Sequence, residues 1–395
     1  MKFSVTLTDL HKALDKTSPA MPKKSTLPIL EHFNFQLKGN ELKIIATDQD
    51  LTIMSFLLVD GSEDGHVLLP GKRLNDIVRA LNPDNTAEFT VSENFEIKIK
   101  TANGKFSMKG IDPNEYLVLP ELFESVKPDI DSIQNMSVVD QSTTPIALFK
   151  KEQINRIAER TASAVSKDEY RPAMTGVYFQ FCGTYVNSVS TDSYRLVKTT
   201  YKPENGVFPT DLNVIIPART IEQLKKADND VAMSFIKTQM KITHVRLDIG
   251  ETVLISRIIE EKFPPYESVL PKNNTIIANL PKAETLTAIK RAAIFANATS
   301  NQVKLSFEAN QLTIIGEDED TGSMGSETLS CEYSADPMVI GFNHRYLSEE
   351  ISNIEDTQDP TMFQMTLSEP NRPALIKPYP ENDELLMLLM PVRIS

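Results

Sequence analysis

The sequence predicts an α+β protein made of three similar domains in a row, each an antiparallel sheet packed on two helices. Three observations point there. An apolar-periodic helix, paired alternating strands, a second helix and a closing strand recur from Val5, Ile146 and Leu280. The period, well over about 100 residues, is too long for a solenoid unit, so each copy is expected to carry its own core. The strand signals come in runs instead of alternating singly with helices, which favours antiparallel sheets with helices gathered on one face. A chain of 395 residues has room for three domains of ordinary size.

The elements follow in order. In the first copy, the helix VTLTDLHKALDKTS leads to FNFQLKGNELKIIAT (33–47), two alternating strands across a Gly39-Asn40 turn. The second helix is LPGKRLNDIVRAL from Leu69, and FEIKIKTANGKFSMKG (95–110) supplies a hairpin around Asn103-Gly104. From Val126 to Pro145, prolines, acids and serines replace core periodicity, and the stretch reads as a connector and surface loop with room for one short edge strand. The second copy gives ALFKKEQINRIAERTASAV from Ala147, GVYFQFCGTYVNSVST, and IPARTIEQLKKA from Ile216. Pro264, Pro265 and Pro271 then form a stiff, extended passage. The third copy gives LPKAETLTAIKRAAIFAN from Leu280, VKLSFEANQLTIIGED, and IGFNHRYLSEEISNI from Ile340, with Leu385, Leu386, Leu388 and Leu389 as its last core strand. The expected domains are 1–140, with the connector near its end, 141–274 and 275–395.

Composition narrows the function classes. Hydrophobic residues make up 41% and charged residues 24%, as in an ordinary soluble domain. No apolar run reaches the roughly 20 residues of a membrane span, and MKFSVTLTDL lacks the features of a signal peptide, so a cytoplasmic protein with no membrane partner is expected. Cys182 and Cys331 are far apart and without CxxC spacing, which supports neither a disulfide framework nor a thiolate metal site. The net charge of -13 argues at first against nucleic acid, but its distribution is uneven. Six helical windows hold 16 Lys and Arg against 10 Asp and Glu, while the rest of the chain holds 25 against 44. Basic helices and acidic strands and loops are compatible with a mildly positive inner and a negative outer surface. They are equally compatible with lysine and arginine being good helix formers on solvated faces.

Catalytic motifs are missing: the sequence has no GxxxxGK[ST], GxGxxG after a strand, HExxH or GxSxG. Its five histidines are scattered without ligand spacing, so no metal, cofactor or enzymatic activity is expected. Asp192 reads as a turn residue at a strand end, although a hydrolase built on Asp192 and His244 stays open as an alternative. Glu317-Asp318-Glu319-Asp320-Thr321-Gly322 lacks the later bidentate glutamate of a calcium loop and reads as a solvated hairpin tip.

Met1-Lys2-Phe3 before the first helix, Thr26-Leu27-Pro28-Ile29-Leu30, Ala46-Thr47-Asp48, Thr191-Asp192-Ser193-Tyr194-Arg195-Leu196, Phe263-Pro264 with Tyr266, Val269-Leu270-Pro271, and the ending Leu389-Met390-Pro391-Val392-Arg393 follow one another along the three copies. On these residues the chain resembles, over nearly its full length, the bacterial sliding clamp family, the beta subunit of DNA polymerase III. The resemblance implies three clamp-type domains and a head-to-tail homodimeric ring, with helices lining a hole that encircles double-stranded DNA independently of sequence. It implies no ATP site, since a loader would open the ring. It also implies a hydrophobic pocket for short linear peptides of the replicative polymerase, the clamp loader, and repair and other polymerases. A peptide-binding adaptor with the same body that does not encircle DNA is the alternative.

Carried over to this sequence, the resemblance places Lys24 of the loop MPKKSTLP near DNA. Lys72, Arg73, Lys150, Arg171 and Lys225 are further candidates, each with the plainer reading of a solvated charge. Where many relatives have aromatics before the central strand of the second copy, which can touch the template strand, this chain departs from the pattern with Arg171-Pro172-Ala173. The pocket walls would be Met174, Thr191, Ser193, Tyr194, Arg195, Leu196, Pro264, Val269, Pro373, Met390, Pro391, Val392 and Arg393. Methionine suits a groove that repacks around several partners. The ring interface would set Phe106 against Ile294 and Phe295, residues that read equally well as ordinary core.

Overall fold

Each copy begins one element earlier than its periodicity suggests. The computed structural model describes residues 1–117, 146–203, 208–238, 241–356, 358–382 and 384–394; the connector expected at 126–145 lies outside the described residues. The segments read as helix starts are strands, Lys2–Thr6, Ile146–Phe149 and Ile276–Pro281, which run straight into helices. Among the described residues the α-helices are α1 (Leu7–Thr17), α2 (Gly71–Ala80), α3 (Lys151–Ala162), α4 (Ala218–Leu224), α5 (Lys282–Ala292) and α6 (His344–Ser352).

Local chemistry sets these helices. Thr6 caps α1, its hydroxyl oxygen accepting from the Asp9 amide at 3.2 Å, and Leu7, Leu10, Ala13, Leu14 and Thr17 form the buried stripe. Asn343 caps α6 through the Arg345 amide at 3.0 Å. Helices α2, α4 and α5 instead follow Pro70, Pro217 and Pro281, which end the preceding strands. Asn75 on α2 donates to the Ser18 hydroxyl at 3.0 Å and Arg79 pairs with Asp15 at 2.7 Å, which ties α2 to α1.

The strands of each copy divide into two half-sheets. One joins the first strand to the three strands after the second helix; the other holds the hairpin strands between the helices and the strand leading into the second helix. Residues 1–151 with 227–258 form one compact unit, and 152–226 with 259–395 a second. In the first unit a five-stranded sheet runs Asp60–Glu63, Lys2–Thr6, Thr86–Val91, Glu96–Lys100, Lys105–Lys109. An eight-stranded sheet runs Ile146–Phe149, Val231–Thr238, Lys241–Ile249, Thr252–Arg257, Leu51–Leu58, Glu41–Thr47, His32–Lys38, Gly65–Pro70. It fuses a half-sheet of the second copy to one of the first, with Val253 opposite Met54.

The second unit repeats that fusion. Its nine-stranded sheet runs Thr210–Pro217, Gly176–Cys182, Val186–Thr191, Arg195–Tyr201, Leu385–Leu389, Ala374–Tyr379, Met362–Leu367, Ile276–Pro281, Glu332–Tyr333. Arg195 stands opposite Leu389 where the second and third copies meet. A four-stranded sheet, Ser323–Ser330, Gln311–Asp318, Gln302–Glu308, Met338–Asn343, completes the unit. The rule is the same at both junctions: the last hairpin strand of one copy pairs with the final strand of the next. By that rule two strands are left over, Ser323–Ser330 of the third copy and Lys105–Lys109 of the first, and each lies at the edge of its sheet.

Candidate functional site

The junction in the second unit carries an apolar floor on one face of its sheet. Side chains alternate along a strand, so Leu196 on Arg195–Tyr201 shares a face with Val189, Leu388 and Leu375 on neighbouring strands, and Ile215, Phe263 and Tyr266 complete the cluster. The Tyr178 ring stacks on Phe263 with centroids 4.8 Å apart, and the Tyr266 hydroxyl donates to Gln180 at 2.9 Å. Burial, with the Glu267 charge beside it, raises the Tyr266 phenol pKa above the usual range, so the group stays a donor. The stiff passage forms one wall: Pro264 is half-buried, Val269 is 55% exposed, and Asn274 donates to the carbonyls of Thr366 and Pro373 at 2.9 and 3.0 Å.

The turn Thr191 to Arg195 forms the opposite wall. Asp192 Oδ1 accepts from the amides of Tyr194 and Arg195, both at 3.0 Å, and Thr191 Oγ1 donates to the Arg195 carbonyl at 2.7 Å. Ser193 takes a positive φ of 79°, which pushes Tyr194 outward, and that ring is 62% exposed. The C-terminal tail lies along this wall, with the Met390 amide donating to the Tyr194 carbonyl at 2.8 Å and the Val392 amide to Gly341 at 2.9 Å. Met390 remains partly exposed, Pro391 and Val392 are half-buried, and Arg393 is exposed.

Arg195 supports the site from beneath. It is buried, pairs with Asp192 at 3.1 Å and with Glu349, donates to the Ser163 carbonyl, and lies 4.4 Å from the Tyr346 ring centroid. Burial works against its charge, but the Glu349 and Asp192 carboxylates outweigh that and hold its pKa above the ordinary value. Tyr346 in turn stacks on Tyr194 at 6.3 Å. Glu350, the next residue on α6 after Glu349, is fully buried with neither carboxylate oxygen hydrogen-bonded; burial pushes its pKa well above the carboxylate range despite Arg195 nearby. Tyr346 and Glu349 escape sequence reading because α6 lies about 150 residues from the turn it braces; Tyr346 shows only as an aromatic on an otherwise polar helix face.

The expected DNA residues scatter in character. Lys24, Lys72 and Arg73 are exposed and have no acidic partner among the described residues. Lys150 pairs with Asp230 at 2.8 Å, and Lys225 is half-buried against Glu222 at 2.7 Å. Arg171 turns toward the cleft wall and donates to Ser193 Oγ at 2.8 Å, beside Met174. Lys23 and Lys226, neighbours of two expected residues, are exposed cations that the sequence reading passed over. Beside Arg171-Pro172-Ala173 stands Tyr170, 96% exposed, so an aromatic is available immediately before the stretch that lacks one.

The expected interface residues are not core. Ile294 and Phe295 are 76% and 41% exposed in a single turn after α5. Phe295 covers Gly325 on the edge strand Ser323–Ser330, where an added Cβ would come within 2.3 Å of its ring. Phe106 is half-buried on the other edge strand, Lys105–Lys109. Of the hydrolase pair, Asp192 is committed to the turn and to Arg195, and His244 Nδ1 lies 2.9 Å from Thr243 Oγ1. Among the described residues no helix is long and apolar enough to cross a membrane.

Comparison with known proteins gives a consistent result. Models of the DNA polymerase III beta subunit match in order: the N-terminal domain over residues 1–120, the central domain over 149–265 and the C-terminal domain over 267–393. The chain is 26% identical to the beta sliding clamp of Staphylococcus epidermidis and 24% identical to that of Chlamydia muridarum, in each case over 100% of this chain and 99% of the relative. Its fold matches a sliding clamp from Pseudomonas aeruginosa bound to griselimycin with a TM-score of 0.86 at 22% identity, and one from Caulobacter crescentus with a TM-score of 0.82 at 25% identity, each over 100% of both chains.

Proposed function

The chain belongs to the DNA polymerase III beta subunit family, and from that premise we propose which of its surfaces close a ring, face DNA and hold partners in the cytoplasm. As a DNA sliding clamp it is a scaffold and not an enzyme: it tethers polymerase to duplex DNA. The observation that carries this is the ordered match of N-terminal, central and C-terminal beta subunit domains along one chain. Domain limits of 1–140, 141–274 and 275–395 suit that order.

The pairing rule of the half-sheets supports a head-to-tail dimer. The leftover strand Ser323–Ser330 of one chain pairs with Lys105–Lys109 of a second chain, and the reverse contact closes the ring, so that neither of these two edges stays open. Phe106 meets Ile294 and Phe295 at the centre of that contact. Lys105 and Lys109 on one edge are opposite in sign to Glu327 on the other, although Glu327 already pairs with Arg291 at 3.3 Å. A clamp held by topology needs only weak phosphate contacts, because many tight ones would arrest sliding. Lys24, Lys72 and Arg73, without an acidic partner among the described residues, suit that task better than Lys150 and Lys225, whose charges are already answered.

The apolar floor with Tyr194, Val269, Pro264, Pro373, Met390, Pro391 and Val392 around it suits a short peptide with apolar anchors, and by likeness to the Pseudomonas clamp it would also hold griselimycin. Met174, Ser193 and Arg171 form its polar lip, while Thr191, Arg195 and Leu196 support it from within.

Retention on nicked circular DNA tests the ring reading. After loading by a matched loader with ATP, the chain is expected to stay on closed circles and to leave rapidly once a restriction enzyme linearises them. Retention unchanged by cutting would contradict encirclement and favour the adaptor.

A further inference from the structure

The face that carries the apolar floor does not end with it. Along Arg195–Tyr201 the floor residue Leu196 is followed on the same face by Lys198 and then Thr200, about 6.7 Å per step. Beside it on Ala374–Tyr379, Leu375 is followed by Lys377. Between these two strands lies Leu385–Leu389, where Leu388 stands opposite Leu196, and Leu386 opposite Lys198. Leu386 packs against the floor and also lines the next cleft, which encloses about 370 Å³ and includes Lys198, Lys202 and Lys377.

We propose that this cleft is a basic subsite, continuous with the peptide floor, that receives acidic residues flanking a partner peptide's apolar anchor. The inference rests on the peptide-cleft reading. Charge argues for the occupant. Lys198 and Lys202 have no carboxylate partner among the described residues, in a chain whose net charge is -13. Lys377 pairs with the exposed Glu381, and Glu267 is the other acid of the cleft, so lysines outnumber glutamates there. The Lys198 stem is half-buried, which positions its ammonium at the cleft rim. One strand step from Leu196 to Lys198 corresponds to an acid two or three peptide residues from the anchor. Such contacts are exposed, so they discriminate among partners that share an apolar anchor and do not replace it.

The test uses the full chain and synthetic decapeptides with one Leu-Phe anchor, flanked two to three residues away on either side by Asp-Asp, Ala-Ala or Lys-Lys, read by fluorescence anisotropy. On one side of the anchor, the Asp-Asp peptide is expected to bind about three- to tenfold more tightly than the Ala-Ala peptide at low ionic strength, with the gain fading at 0.5 M salt. Lys198→Glu with Lys202→Glu should reverse the order of Asp-Asp and Lys-Lys. Lys198→Ala with Lys202→Ala, a milder change, should erase the difference while griselimycin binding stays intact. Equal binding of Asp-Asp and Ala-Ala peptides on both sides, or an acid preference that survives both double variants, would overturn the subsite. If neither griselimycin nor any peptide binds, the cleft reading itself fails and the subsite with it.

Discussion

The two junctions between copies are built by one rule and end differently. In the first unit, Leu51–Leu58 pairs with Thr252–Arg257, and Ile45, Met54, Phe56, Val253 and Ile255 close over one another as core. In the second, the equivalent strands pair in the same way, but a proline-rich passage and the C-terminal tail rise on either side of the floor and leave Tyr194, Val269 and Met390 partly in water. Identical sheet fusion thus gives a sealed seam in one place and a cleft in the other. What differs is the flanking chain: the proline-restricted passage packs Phe263 and Tyr266 on the floor and leaves Val269 exposed, and the tail is tied at Met390 and Val392 by backbone bonds with the Met390 side chain partly exposed.

The comparison can be broken from either side. Arg195→Ala should have the largest effect, about 3–5 kcal/mol lost in denaturant unfolding, because the largely buried Asp192 carboxylate loses its ion pair, the Ser163 carbonyl its donor and Tyr346 the guanidinium packed on its ring, while Glu349, half exposed, adds little. Met54→Ala at the sealed seam should cost about 2–5 kcal/mol and leave peptide binding unchanged. Tyr194→Ala and Met390→Ala should do the opposite, moving stability by less than about 1 kcal/mol while weakening peptide binding about tenfold or more by calorimetry. If seam and cleft variants behave alike, the two junctions do not differ in the way described.

The smallest effect concerns Glu350. Burial keeps its carboxyl protonated in the folded chain, whereas the unfolded chain releases that proton above about pH 4.3. The folded state therefore binds more protons, and this residue's contribution to stability declines as pH rises from the ordinary glutamate range toward its raised folded value. Glu350→Gln should melt higher than the parent chain at pH 8, with the gap closing near pH 4.5. A gap independent of pH would contradict a protonated Glu350.

Much of this was legible in the sequence. The i, i+3, i+7 stripe of α1 and the Gly39-Asn40 hairpin are local signals, and Gly39 takes the positive φ of 56° that its tight turn requires. The fusion of half-sheets was not legible, because Val253 opposite Met54 and Arg195 opposite Leu389 join strands about 200 residues apart that look like any other alternating run. The first strand of each copy was absorbed into the helix it precedes, since Val5 and Leu7 continue one apolar pattern across the Thr6 cap. In the cleft, residue types indicated the floor and the tail, but the burial of Arg195 depends on Glu349, Tyr346 and the Ser163 carbonyl, none of them near it in sequence. Arg171 is a loop charge whose partner is not visible in the sequence; only the fold brings Ser193 beside it.

The pairing rule makes its strongest claim at the two strands it leaves over. Sedimentation equilibrium of the intact chain at micromolar concentration tests it directly, with the Phe106→Glu and Phe295→Glu variants run beside it. The expected mass is twice 44.2 kDa for the parent chain and 44.2 kDa for either variant, with peptide binding retained by all three. A parent chain that sediments as a single copy, or variants that stay paired, would contradict closure through Lys105–Lys109 and Ser323–Ser330.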